Sequence, residues 1–260
     1  MASKVLSAVS AYGFIHIFLY EQVFFNLLEK KIAFFTVSVV LVVMLSSACV
    51  AYPLPVNIYP PGSSPYGISY KDNIKNYWRH IISIPADQSP MKDKTGEKCA
   101  VGQENSSSPV FYLFGTGGGK AERTCTIPYG KGVLIPVIIV EVSDKEVPNK
   151  PVEDLHKFAT QDQDSVTSLY LRVNDKEYDF EYLKSYRIHT DAFDVVFPEN
   201  AIFGVTSGKS KAVADGYYIM TDVLPKGKHE IHYKSSLLCP EVDCLEPNFV
   251  QDVKYTLMVK

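Results

Sequence analysis

The pattern of apolar and polar residues changes along the chain and indicates three kinds of segment. Residues 32–51 are an uncharged apolar run. Residues 70–82 place apolar side chains at helical spacing, and residues 151–164 do so over a narrower stripe. From residue 110 onward, short apolar stretches are separated by turn residues, and the stretch 253–259 alternates strictly between apolar and polar positions. The pattern therefore predicts a few helices and many strands.

Two helices are predicted, one beginning after Ser69 as N-cap and ending before Pro85, the other covering residues 151–164. About nine strands are predicted, at residues 110–114, 124–128, 133–142, 169–173, 178–182, 193–197, 216–223, 229–233 and 253–259. Pro136 inside an apolar strand predicts a bulge or an edge position. The fold class expected is mainly β: an antiparallel β-sandwich, of jelly-roll or immunoglobulin-like type, with two peripheral α-helices.

The apolar run at residues 32–51 predicts an export signal. Lys30 and Lys31 precede it and small residues close it, as in a secretory signal peptide. An uncleaved membrane anchor and lipidation at Cys49 are alternatives, because a run of this length can span a bilayer. The expected organisation is a signal peptide or anchor over 1–51, a proline-rich spacer over 52–68, and a single β-sandwich domain over 69–260. Residues 1–26 are a candidate for a mis-called start.

Composition and cysteines narrow the class of protein. The formal net charge of −3 argues against a nucleic-acid binder that relies on bulk positive charge. Contact with a membrane is expected only through the N-terminal segment, if it stays uncleaved. The four cysteines after the apolar run favour disulfides in an exported chain, and we prefer the pairs between sequence neighbours, Cys99–Cys125 and Cys239–Cys244. Asn105 begins a glycosylation sequon.

No motif identifies a cofactor or a metal site. The glycine-rich segment 115–120 (GTGGGK) lacks the spacing of a phosphate-binding loop, and no CxxC pair suggests zinc. His229 and His232 are three apart on a predicted strand, so their side chains point to opposite faces. We therefore expect no cofactor and no metal.

Two groups of residues are candidates for a binding site. Glu141 lies near the end of an apolar strand, where a carboxylate needs a partner, and Arg123 is the nearest candidate in the sequence. Asp215, followed after one glycine by Tyr217 and Tyr218, could form an acidic and aromatic rim on which a sugar stacks. Structural ion pairs and ordinary sandwich tyrosines are the alternatives.

Short segments spread over the chain after residue 77 form a recognisable pattern. They are Trp78 with 83–85 (SIP), 93–96 (DKTG) with Cys99 and Gln103, 110–113 (VFYL) with Gly115 and Thr116, 123–128 (RTCTIP) with 130–131, 164–169, 198–200, 215–217 and 225–229. In these segments the chain resembles a family of uncharacterised exported proteins of archaea and bacteria. The sequence departs at Ser89 and Val140, where the family has asparagine, and this weakens a site built around Glu141. The resemblance implies export and one domain, and it implies no activity.

The sequence thus supports two functional hypotheses. The first is a secreted or cell-envelope β-sandwich protein, non-catalytic, that binds a glycan or an envelope protein. The alternative is an exported hydrolase with a site near Glu141, Arg123 and Asp215. A pocket that joins these groups and shifts a carboxyl pKa would favour the enzyme.

Overall fold

The computed structural model, which describes residues 56–103, 106–238 and 248–260, contains nine strands in two sheets. The strands are β1 (Val110–Tyr112), β2 (Gly119–Ile127), β3 (Gly132–Ser143), β4 (Val166–Val173), β5 (Lys176–Tyr178), β6 (Phe193–Phe197), β7 (Gly208–Met220), β8 (Gly227–Leu238) and β9 (Asn248–Val259). The helices are α1 (Tyr70–Ser83), α2 (Val152–Asp164) and the single turn α3 (Phe180–Leu183). The prediction of a mainly β protein is confirmed.

The two sheets are mixed, which differs from the antiparallel sandwich predicted. The first sheet has the order β1-β3-β7-β6 and the second the order β2-β9-β8-β4-β5. β1 pairs with β3 in parallel, and β2 pairs with β9 in parallel, whereas all other pairs are antiparallel. β2 follows β1 in the sequence but lies in the second sheet, so no hairpin joins β1 directly to β3. β2 and β9 are far apart in the sequence, so no hairpin joins that pair either.

The first sheet is the middle layer of the fold. Ile135 and Ile219 on one face belong to the cluster shared with the second sheet, whereas Leu134 and Met220 on the other face pack with α1. The distal halves of β3 and β7 extend past the second sheet, and α2 covers them there through the cluster that contains Val142. Two apolar layers therefore enclose this sheet, which explains the nearly continuous apolar sequence of β3.

Both predicted helices are present for the expected reasons. The Ser69 side chain accepts a hydrogen bond from the backbone N–H of Asp72, with N and Oγ 3.1 Å apart, and so caps α1. Helix α1 ends at Ser83, two residues before Pro85. The bulge predicted at Pro136 is also found, as a shift of the β3–β7 register between Pro136 and Ile138.

Two segments differ from the prediction. Residues 178–182 are not one strand, because Asp179 accepts a hydrogen bond from the N–H of Tyr182 and so begins α3. Residues 56–68, within the predicted spacer, pack against the end of β7: Ile58 forms a β-bridge with Thr221, and the Tyr66 hydroxyl donates to the Thr221 carbonyl at 2.9 Å.

Several predictions fall on residues outside those described: the signal peptide or anchor over 1–51, the sequon at Asn105, and the pair Cys239–Cys244. Within the described ranges, no helix has the length and apolar character needed to cross a bilayer. Residues 53–260 form one compact unit.

The predicted disulfide Cys99–Cys125 is present and buried. It ties the loop after α1 to β2 across 26 residues of chain.

We expect the double variant Cys99→Ala/Cys125→Ala to lose up to about 3.5 kcal/mol of unfolding free energy, because the unfolded chain is no longer constrained. Urea titration of both proteins measures the loss. Reductant should destabilise the wild type more than the variant; equal effects on the two would contradict a stabilising role for this disulfide.

Candidate functional site

A cavity of about 180 Å³ lies where α1, the end of β3 and the start of β9 meet. Its walls are mostly apolar and aromatic, and the lining residues are Tyr77, Trp78, Ile81, Met91, Gly115, Thr116, Gly117, Ile139, Val140, Glu141, Glu146, Phe203, Phe249 and Gln251. We call it the carboxyl-pair pocket, after Glu141 and Glu146.

The two carboxyl groups of the pocket differ in exposure and in partners. Glu141 belongs to β3 and is only 4% exposed, whereas Glu146 lies in the following loop and is partly exposed. Glu146 Oε2 accepts hydrogen bonds from the backbone N–H and the hydroxyl of Ser143, at 2.9 and 2.5 Å. Glu141 has no donor for either oxygen among the described residues.

Burial decides which carboxyl group holds a proton. Complete burial raises the pKa of Glu141 well above its usual range, and the neighbouring carboxylates of Glu146 and Asp144 raise it further. Burial also raises the pKa of Glu146, against the lowering effect of the bonds from Ser143. Burial therefore raises both pKa values, and it raises that of Glu141 the more strongly, so Glu141 is the group of the pair that holds a proton more firmly.

Helix α1 supplies the aromatic wall. Trp78 donates from Nε1 to the Tyr218 hydroxyl at 2.8 Å, and this bond fixes the indole plane. The Tyr77 ring packs edge-on against Trp78, with centroids 5.6 Å apart. The Tyr77 hydroxyl is buried without a hydrogen-bond partner among the described residues, an arrangement that is costly in a protein interior.

Phe203 forms the outer edge of the pocket in an unusual backbone conformation. It has a φ of 65°, in the left-handed region that a phenylalanine rarely adopts. Its side chain is 47% exposed although it is large and apolar. Strained residues and exposed aromatic rings are both more frequent at binding sites than elsewhere.

The glycine-rich segment 115–117 forms one wall, and two buried polar side chains position it. Arg123 is 2% exposed and donates to the carbonyls of Phe114 and Gly115 and to the Tyr255 hydroxyl. Gln251 Oε1 accepts from the N–H of Thr116 at 3.3 Å, while its Nε2 donates to the Val137 carbonyl at 2.7 Å.

The structure thus separates the residues that the sequence suggested as one site. Glu141 is in the pocket, but its partner is Glu146; Arg123 is directed to backbone carbonyls. Asp215 lies on the opposite face of the first sheet, since the register pairs it with Val140, and it binds the Arg187 guanidinium at 2.9 and 3.0 Å.

No aromatic rim forms beside Asp215. Tyr217 is 6% exposed and packs between the sheets, while Tyr218 is fully buried beneath α1. The two rings therefore form no exposed rim, and neither lines the carboxyl-pair pocket. Asp215 lines a different cavity, with Arg187, Asp164, His156 and His189.

The histidine pair lies on opposite faces of β8, as predicted. His229 bonds the Pro225 carbonyl and the Asn174 amide, and His232 lies 2.7 Å from the Asp252 carboxylate. Within the described part of the chain, no group of three or more histidine, cysteine or acidic residues could hold a metal ion.

Sequence reasoning missed most of the pocket. Glu146, Phe203 and Phe249 come from loops and a strand far apart in the sequence, and nothing in their local pattern brings them together. Trp78 falls within the apolar spacing of the predicted helix 70–82, which gives no sign that it also lines a pocket. One signal was available for the pair: two glutamates five positions apart at the end of a buried strand.

Comparison with known proteins adds little. No family model and no curated protein matches the chain. A solved structure, "PbICP-C in complex with falcipain-2", is similar over 58% of this chain and 98% of that one, at 9% identity and a TM-score of 0.22. A likeness this weak carries no argument about fold or function.

We expect Glu141→Gln to stabilise the protein increasingly as pH rises. The folded protein holds the Glu141 proton more tightly than the unfolded chain does, so folding becomes less favourable as pH rises above the usual glutamate pKa of 4.5. Glutamine keeps a donor toward Glu146 and does not ionise.

Urea titrations of wild type and variant between about pH 4 and pH 8 measure this difference. Glu97→Gln, at an exposed loop position, is the matched control and should keep a constant difference from the wild type. A pH-independent effect of Glu141→Gln would show that Glu141 is ionised in the folded protein.

Proposed function

We propose that this is an exported protein that binds a glycan in the carboxyl-pair pocket and does not transform it. The observation that carries the proposal is the combination, in one cavity, of fixed aromatic faces and a carboxylate acceptor. A sugar ring has an apolar C–H face that packs on an aromatic side chain, and hydroxyl groups that donate charge-assisted hydrogen bonds to a carboxylate.

The size of the pocket favours a glycan over an envelope protein as the ligand. Its volume of about 180 Å³ lies below the roughly 300–1,000 Å³ of pockets for drug-sized molecules, so it holds about one ring. A stable protein–protein interface buries roughly 800 Å² on each partner and is flatter. The ligand in this proposal is therefore the end or a single unit of a glycan.

Export is part of the proposal and rests on two supports. The disulfide Cys99–Cys125 is compatible with an extracytoplasmic location. The second support is the layout of residues 32–51 as a signal peptide, together with the resemblance to exported archaeal and bacterial proteins. A jelly-roll or immunoglobulin-like type of sandwich, and glycosylation at Asn105, are proposals of the same kind.

The burial of Glu141 favours binding over hydrolysis. A glycoside hydrolase uses two carboxyl groups, which lie on either side of the scissile bond. Both carboxyl oxygens of Glu141 are buried, which leaves Glu146 as the more exposed carboxyl group toward a ligand.

A hydrolase remains the second candidate because one observation favours it. The environments of Glu141 and Glu146 make one an acid and the other a base, which is the arrangement of many acid–base catalysts. In this version Glu146 is the base, and Arg123 and Asp215 take no part. Release of reducing ends from an oligosaccharide, abolished by Glu146→Gln, would establish it.

Phe203→Ala should weaken glycan binding about tenfold, because it removes the outer aromatic wall. Trp78 is the only tryptophan and lines the pocket, so its fluorescence reports on binding in a titration with β-1,4-linked sugar dimers. Tyr129→Ala is the matched control: Tyr129 is 56% exposed and does not line the pocket. Equal affinities of the two variants would place the ligand elsewhere.

A further inference from the structure

We propose that the sugar unit bound in the carboxyl-pair pocket carries a protonated amine, so that the ligand is an amino sugar rather than a neutral one. This inference rests on the proposed function and adds the chemical class of the ligand. Three observations carry it: the charge of the pocket, the way in which nearby cations are held elsewhere, and the aromatic faces around the remaining carboxylate.

The pocket carries an uncompensated negative charge. The two hydrogen bonds that Glu146 accepts from Ser143 favour its ionised form, and none of the lining residues in the described part of the chain is lysine, arginine or histidine. Asp144 lies close enough to influence Glu141 electrostatically and adds to the negative potential. A partly buried carboxylate without a cation is unfavourable, so a cationic ligand gains more here than at an exposed site.

Two lysines near the carboxyl pair, Lys145 and Lys211, whose backbone N–H donates to Asp144, are bound to other groups. Lys145, next to Glu146, donates to the Thr206 hydroxyl and the Ser207 carbonyl at 3.2 and 3.0 Å. Lys211 lies 2.8 Å from the Asp194 carboxylate. Ser143 therefore donates two hydrogen bonds to Glu146, but neither of these lysines pairs with the Glu146 carboxyl group. A cationic ligand can take that place.

The oxygens and rings fit an ammonium group. Both bonds from Ser143 go to Glu146 Oε2, so Oε1 can accept a further hydrogen. Trp78, Phe203 and Phe249 line the same cavity, and aromatic faces attract cations, tryptophan most strongly. A neutral hydroxyl makes only the hydrogen bond, whereas an ammonium gains from the charge and the rings as well.

Three matched probes test the inference: the β-1,4-linked dimers of glucosamine, N-acetylglucosamine and glucose. They share the linkage and ring and differ at the 2-position, which bears an ammonium, a neutral amide or a hydroxyl. We expect the glucosamine dimer to bind the purified protein at least about tenfold more tightly than the other two at neutral pH, by Trp78 fluorescence or calorimetry.

Glu146→Gln should abolish that preference, whereas Glu122→Gln, on the outer face of the second sheet and paired with Lys254 at 3.1 Å, should keep it. Raising salt from about 50 to 500 mM should weaken only the glucosamine dimer, a measurement that needs no variant and so stands if Glu146→Gln misfolds.

The outcomes separate the two proposals. Equal affinity for all three dimers, or tighter binding of the N-acetylated one, overturns the amino-sugar inference and leaves glycan binding in place. Binding of none of them by the wild-type protein overturns both.

Discussion

The buried guanidinium of Arg123 is the interaction on which the pocket depends. Among the described residues no carboxylate pairs with it; backbone carbonyls of Asp93, Phe114 and Gly115 and the Tyr255 hydroxyl accept its hydrogen bonds. A buried charge is tolerated only when its hydrogen bonds are complete, so all these groups must be in place together. The segment between α1 and β1, the loop between β1 and β2, and strand β9 are thereby fixed relative to one another, and the pocket lies at their junction.

The two buried ionisable groups, Arg123 and Glu141, are stabilised in different ways. Burial lowers the pKa of Arg123, but the neighbouring Tyr255, Tyr233 and Asp93 outweigh this effect and raise it, so the guanidinium stays ionised. The Glu141 carboxyl group has no donor and takes up a proton instead. The two groups are therefore not paired with each other, and the pocket keeps two carboxyl groups with no cationic side chain among its described lining residues.

The sequence predicted the elements well where local signals are strong. The Ser69 cap, the Pro85 stop and the Pro136 bulge each act within a few residues, so they can be recognised without knowing the fold. The parallel pairs β1–β3 and β2–β9 could not be predicted, because strand pairing across distant segments leaves no local mark.

The same limit applied to the site. The need of Glu141 for a partner was visible in the sequence, but the nearest arginine was the wrong choice, since the backbone carbonyls that bind Arg123 have no signature in side-chain chemistry.

The position of β9 determines when the second sheet can be completed during folding. β9 follows all other strands in the sequence and yet lies inside the second sheet, between β2 and β8. Before β9 pairs with β2, β2 has no neighbouring strand in its sheet, and Arg123 cannot donate its hydrogen bond to the Tyr255 hydroxyl. Both cysteines of the disulfide precede β9, so the covalent link can close while the second sheet is still open. Assembly of such distant partners is slow, and during synthesis an early crosslink preserves the geometry of β2 until the final strand inserts.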